Sequence, residues 1–193
     1  MARPRKFDEA EVKTALRDVF WEHGFDGASY ADIMDATGLN KGSLYASFGD
    51  KRELYQHAIA DYARAQITPG VAMLKDKTIP PKDRIAGLFT SLVNGAQTPQ
   101  GRWGCLLCNA AIDQAPFDEE VEKSVTGALS RLRKAIRACV KGTVAEDKAE
   151  LIWMAYFGGH VMVKAGYSKS VLRTHKSQIL SLFDKSRTGL QPY

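Results

Sequence analysis

Cysteine is scarce in this sequence. Cys105, Cys108 and Cys139 are its three cysteines, an odd number and too few for a disulfide framework. No second C-x-x-C exists to complete a zinc site with Cys105 and Cys108, so neither a metal nor another cofactor is expected. Long hydrophobic runs are missing as well. The most apolar charge-free stretch, 151–163, holds 13 residues, whereas a membrane-spanning helix needs about 20. The basic start (Arg3, Arg5, Lys6) leads into no apolar segment, so no secretory signal is expected. There is no G-x-S-x-G elbow, Walker A loop or H-E-x-x-H pair. The four histidines are scattered and paired catalytic carboxylates are not evident. No catalytic residue is assigned, and an enzyme is disfavoured. Runs of period-2 alternation and internal repeats are also lacking. The expectation is a cytoplasmic, all-α protein with no membrane partner.

What is present is ordinary globular material. Across 193 residues, 45% are hydrophobic and 25% charged, enough for a sizeable buried core. The net charge of +5 invites a nucleic-acid partner. Its distribution complicates that reading. Residues 1–55 carry eight Lys/Arg against ten Asp/Glu, a net −2, which leaves +7 for 56–193. Bulk charge therefore cannot locate the binding face; the helix on which each basic residue sits must do so.

About nine helices can be read. Asp8 with Glu11 opens the first, whose apolar positions Val12, Leu16, Val19 and Phe20 recur at helical period until Gly24. Ser29 with Asp32 caps a second, and Thr37-Gly38-Leu39 is a tight turn. Asn40 caps a third, and Asp50 with Glu53 a fourth. Thr68-Pro69-Gly70 is expected to break the chain, with a helix resuming over 71–75. Further helices are expected over 82–97, 103–115, from Asp118 to about Val140, over 151–163, and from Lys169. Val121, Val125, Leu129, Leu132, Ile136 and Val140 make one stripe.

Residues 29–48 have the arithmetic of a helix-turn-helix: short helix, glycine-containing turn, short helix. On the second of these, Leu44 and Phe48 share one face, and Lys41 and Tyr45 another. The latter presents charge and hydroxyls, with Gly42 permitting close backbone approach and Ser43 beside it. Lys51 stands at the next helix N-terminus, where a phosphate is favoured. The string Gly24-Phe25-Asp26-Gly27-Ala28-Ser29, Asp32-Ile33, Ala36 to Tyr45, Phe48 and Lys51-Arg52-Glu53-Leu54 resembles the TetR family of bacterial transcriptional repressors. The resemblance implies phosphate or base-edge contacts from Ser29, Lys41, Ser43, Tyr45 and Lys51, with Gly42 against the DNA. Ser47 stands where many members carry His or Tyr, and Tyr30 where an aliphatic residue is more usual. The basic arm before residue 7 is a candidate for the minor groove.

The resemblance further implies a DNA-binding domain at 1–55 and an effector-binding and dimerisation domain at 56–193. The partners implied are a palindromic double-stranded operator, a small-molecule effector and a second copy joined through the last two helices. Trp103, Cys105, Cys108, Asn109, Ile112, Trp153, Tyr156 and His160 are the candidate pocket residues. Aromatic residues at such spacing also suit a plain core, and His160 suits a satisfied core or interface position. Cys105-Leu-Leu-Cys108 supports an alternative reading, a thiol-based redox or electrophile sensor or an oxidoreductase. Buried structural cysteines are its bland counterpart.

Overall fold

A computed structural model describes residues 7–184; the basic arm lies outside them. Four helices form the N-terminal unit: α1 (Glu9–Gly27), α2 (Tyr30–Thr37), α3 (Lys41–Phe48) and α4 (Lys51–Tyr62). The expected caps close their ends. Asp8 accepts from the Ala10 amide, Ser29 and Asp32 form a reciprocal capping box, Asn40 accepts from the Ser43 amide, and Asp50 and Glu53 form a second box. Regular turns of α1 end at Gly24, whose φ of 71° suits glycine, and a further turn runs to Gly27. Leu16, Phe20, Ile33, Leu44, Leu54 and Ile59 are buried together, and Phe20 meets Tyr55 edge-on at 5.1 Å. α4 therefore completes the core of α1–α3, and the boundary expected after residue 55 falls inside it.

The break expected at Thr68-Pro69-Gly70 does not occur. α4 widens into a π turn (Ala63–Ile67) and continues as α5 (Thr68–Lys75). Proline has no N–H to give, but it sits in the first turn of α5, where a missing donor is tolerated. The Thr68 hydroxyl donates to the Ala63 carbonyl. Counting 51–75 as one bent rod, the described residues hold nine rods, all helical. The others are α6 (Pro81–Gly95), α7 (Leu106–Asp113), α8 (Glu119–Val140), α9 (Ala149–Lys164) and α10 (Lys169–Ser181).

The helix expected over 103–115 is also revised. Trp103 ends a 3-10 turn (Gln100–Trp103), Gly104 reverses the chain at φ 78°, and Cys105 is the N-cap of α7. An added Cβ at Gly104 would stand 2.9 Å from the Lys164 Cβ and 3.3 Å from the His160 carbonyl oxygen. Glycine is required there both by conformation and by space. The α8 stripe packs inward, and Arg133 and Arg137 pair with Glu150 of α9 at 2.7 and 3.0 Å. α9 buries Ile152, Tyr156, Phe157 and Val163, but leaves Leu151, Met154 and Val161 exposed. No helix among the described residues is long and apolar enough to cross a membrane.

Candidate nucleic-acid interface and internal cavities

Leu44 and Phe48 anchor α3 in the core, and Phe48 also meets Phe7 at 5.9 Å and His57 at 5.5 Å. This leaves Lys41, Gly42 and Tyr45 on the exposed side. The Tyr30 hydroxyl of α2 donates to that of Tyr45 at 2.9 Å, and the two rings stack at 5.7 Å. Lys41 Nζ lies 4.6 Å from the Tyr30 ring centroid, within cation–π range. Burial first, then the bond to Tyr45, push the Tyr30 hydroxyl up to about 12. Tyr30 thus braces the exposed face of α3, a role its spacing did not disclose.

The other expected contacts are placed differently. The Ser29 hydroxyl donates to Asp32 Oδ2 at 2.6 Å and accepts from the Asp32 amide, so capping engages it. Ser43 is half-buried. Lys51 is half-buried too, with Nζ 4.9 Å from the Phe25 ring centroid at the start of α4. Lys41, Gly42 and Tyr45 form one face, Lys51 flanks it at the head of α4, and Ser29 stands at the head of α2.

Two cavities lie below. The larger, about 510 Å³, is walled by Arg17, Asp18 and Trp21 of α1, by Tyr62 and Gln66, by Met73, Leu88 and Leu92, and by Tyr156, His160 and Val163 of α9. Its apolar body with a few polar groups, and its size, suit a small organic molecule. The smaller, about 320 Å³, is a cleft lined by Cys105, Cys108, Asn109, Ile112, Asp113, His160, Val161, Lys164 and Ala165. Of the eight expected pocket residues, Tyr156 and His160 reach the large cavity, and Cys105, Cys108, Asn109, Ile112 and His160 the cleft. Trp103 lines neither and packs edge-on against Trp21 at 5.5 Å. Trp153 lines neither and lies against Phe157 and Arg133. The wall supplied by α1 and the π turn was missed. Those residues read as plain helix, and only folding brings them to α9.

His160 departs from the expected satisfied histidine. Its ring meets Tyr156 at 5.0 Å and faces both cavities, with no hydrogen-bond partner among the described residues. Burial lowers its pKa from 6.5 to about 4. The unfolded chain therefore protonates there first as pH falls. The contribution of this group to stability is expected to be level above pH 6.5 and to drop by about 3 kcal/mol between 6.5 and 4. Urea unfolding of His160→Gln across that range should show a shallower acid limb; an unchanged limb removes the assignment.

The class of protein is thus a helix-turn-helix protein whose reading unit sits on a larger helical body enclosing a cavity. The family model for bacterial regulatory proteins, tetR family, matches residues 14–58. The uncharacterized HTH-type transcriptional regulator YezE of Bacillus subtilis is 31% identical over 125 residues, 64% of this chain and 63% of its own. The HTH-type transcriptional repressor BdcR of Escherichia coli is 32% identical over 108 residues, 55% of this chain and 52% of its own. The chain thus spans less than two thirds of these relatives' lengths. A cysteine-substituted form of the TetR family regulator CifR, solved with a 26-base-pair double-stranded operator, is 26% identical. It covers 92% of this chain and 98% of its own at a TM-score of 0.78. Residues 14–58 thus belong to the tetR family of bacterial regulatory proteins, and the chain as a whole shares the fold of the TetR family regulator CifR.

Proposed function

We propose that this protein is a homodimeric, ligand-responsive transcriptional repressor acting in the cytoplasm. Residues 1–55 would read DNA and 56–193 would bind an effector and dimerise. The observation that carries the reading is the exposed Lys41–Gly42–Tyr45 face, held outward by buried Leu44 and Phe48 and braced by Tyr30. CifR, of the same fold, was solved on operator DNA. In a dimer, two such faces would enter successive major grooves, roughly 34 Å apart or a small multiple of that.

The large cavity supports ligand control. Its wall includes Arg17, Asp18 and Trp21 of α1, the helix on which α2 and α4 pack. A ligand that fits better when α1 has shifted would favour a spacing that mismatches the operator, and release would follow from that difference in affinity. Lys41→Ala and Tyr45→Ala are each expected to weaken binding about tenfold. The probe is a duplex selected from random sequence, and the readout is fluorescence anisotropy with unchanged helicity. Binding should also fall steeply with salt. Full affinity in both variants would overturn the assignment of this face.

A further inference from the structure

The small cleft holds chemistry that the large cavity does not use. Cys105 is the N-cap of α7 and Cys108 is three residues on, at the end of the helix whose amides have no partner within it. Both sulfur-bearing residues line the cleft, Cys105 buried and Cys108 half-buried. Burial pushes the Cys105 thiol up. The Cys108 thiol, the Tyr62 hydroxyl and the amides of Cys108 and Leu107, all facing that sulfur, outweigh burial and bring it down to about 7. Cys108 is pushed up, first by its bond to Cys105 and then by burial. Cys105 is therefore the sulfur that ionises, and Cys108 the one that keeps its proton. Cys139 is buried elsewhere, with its Sγ 3.7 Å from the Pro81 carbonyl and pushed up by burial.

We infer that Cys105 and Cys108 form a dithiol that small hydroperoxides close to a disulfide, and that this closure lowers the affinity for DNA; the second half rests on the regulator reading above. Size selects the oxidant. Cys105 is 2% exposed, so a small hydroperoxide reaches its sulfur where a bulky disulfide such as oxidised glutathione is excluded. In the first step the Cys105 sulfur attacks the peroxide. An S–O bond forms, the O–O bond breaks, and the departing alkoxide takes up the proton that the Cys105 thiol released on ionising and leaves as an alcohol. The sulfur is oxidised to sulfenic acid as the peroxide is reduced. In the second step the Cys108 sulfur attacks that of Cys105. The S–S bond forms, the S–O bond breaks, and hydroxide leaves with the Cys108 proton as water.

The closure reaches the reading unit through two contacts. A disulfide sulfur has no negative charge to hold the Tyr62 hydroxyl of α4. Gly104 has no slack, because Lys164 and His160 crowd it, and its carbonyl accepts from Trp21 Nε1 of α1 at 3.3 Å. Turning Cys105 toward Cys108 therefore strains both helices that carry the reading unit.

The test treats the reduced full chain with one equivalent of tert-butyl hydroperoxide. Mass spectrometry then examines the tryptic peptide 103–123, which contains both thiols. Loss of two hydrogens from that peptide, with Cys139 unchanged, is expected. Cys108→Ser should stop at a sulfenic acid on Cys105 that dimedone traps, and Cys105→Ser should leave Cys108 unreacted. Oxidation of Cys139 alone, or reaction of Cys108 at full rate in Cys105→Ser, overturns the dithiol. The same samples are titrated with the selected duplex. At least a tenfold loss of affinity, reversed by dithiothreitol and absent in Cys105→Ser, supports the switch; a disulfide that leaves affinity unchanged overturns it. Failure of the reduced protein to bind any duplex sinks the regulator reading instead, while the peptide masses still judge the thiol chemistry.

Discussion

Leu151→Asp combined with Met154→Asp is expected to turn a dimer into a monomer and to weaken DNA binding on the order of 100-fold. The two side chains are 50% and 60% exposed on α9. They continue through Gly158, above which a Cβ would meet nothing, to Val161, at spacings of three and four. Tyr167 and Val171 extend the exposed apolar surface to the start of α10. One copy of the chain leaves this strip bare, and in the proposed homodimer a second copy turned about a two-fold axis would cover it with the same strip. Two carboxylates per subunit placed there would face their equivalents without counter-charge. Separated subunits lose the effective concentration that one bound half lends the other, which is the source of the large loss. Sedimentation at micromolar concentration and anisotropy on the selected duplex check both halves. A parent protein that sediments as a monomer, or a variant that stays dimeric, refutes the assignment.

Asp61→Ala is expected to lower the free energy of unfolding by about 3 kcal/mol. Asp61 is 4% exposed. It accepts from Arg17 Nη1 of α1 at 3.1 Å and from Arg64 at the start of the π turn. Removing it leaves the largely buried Arg17 with Asp18 as its remaining ion partner, at 2.8 Å. Arg64 is well exposed and contributes little to the loss. Asp61→Asn, which keeps an acceptor, should cost less than Asp61→Ala. Urea unfolding at fixed protein concentration tests the order, and equal midpoints for all three proteins would show that the network carries no stability. Because Arg17 also walls the large cavity, Asp61→Ala should alter ligand response as well as stability.

Much of the reading unit was legible in the sequence because its information is local. A cap residue and its partner lie three positions apart in Ser29–Asp32 and Asp50–Glu53, so the chain announces where those helices start. The division of α3 into a buried pair, Leu44 and Phe48, and an exposed pair, Lys41 and Tyr45, follows from helical period alone. Proline misled at residue 69, because the widening of the preceding turn depends on how α4 and α5 pack and not on the proline itself. Trp103 misled for a related reason. Its apolar neighbours continue a helical pattern, but Gly104 lies where Lys164 and His160 leave no room for a side chain, and the chain turns there.

The all-α class, the helix-turn-helix and the face of α3 were determined by the sequence by itself, since each rests on contacts within a few residues of the chain. The large cavity was decided by the tertiary structure, since its walls come from α1, the π turn, α6 and α9, segments more than a hundred residues apart. So was the state of the two thiols. Cys105 and Cys108 are alike in sequence, and they differ because the Tyr62 hydroxyl, contributed by α4, and the amides at the head of α7 converge on Cys105 alone. Burial opposes that charge and the donors sustain it, and both depend on which helices meet, a property of long-range packing that no local pattern encodes.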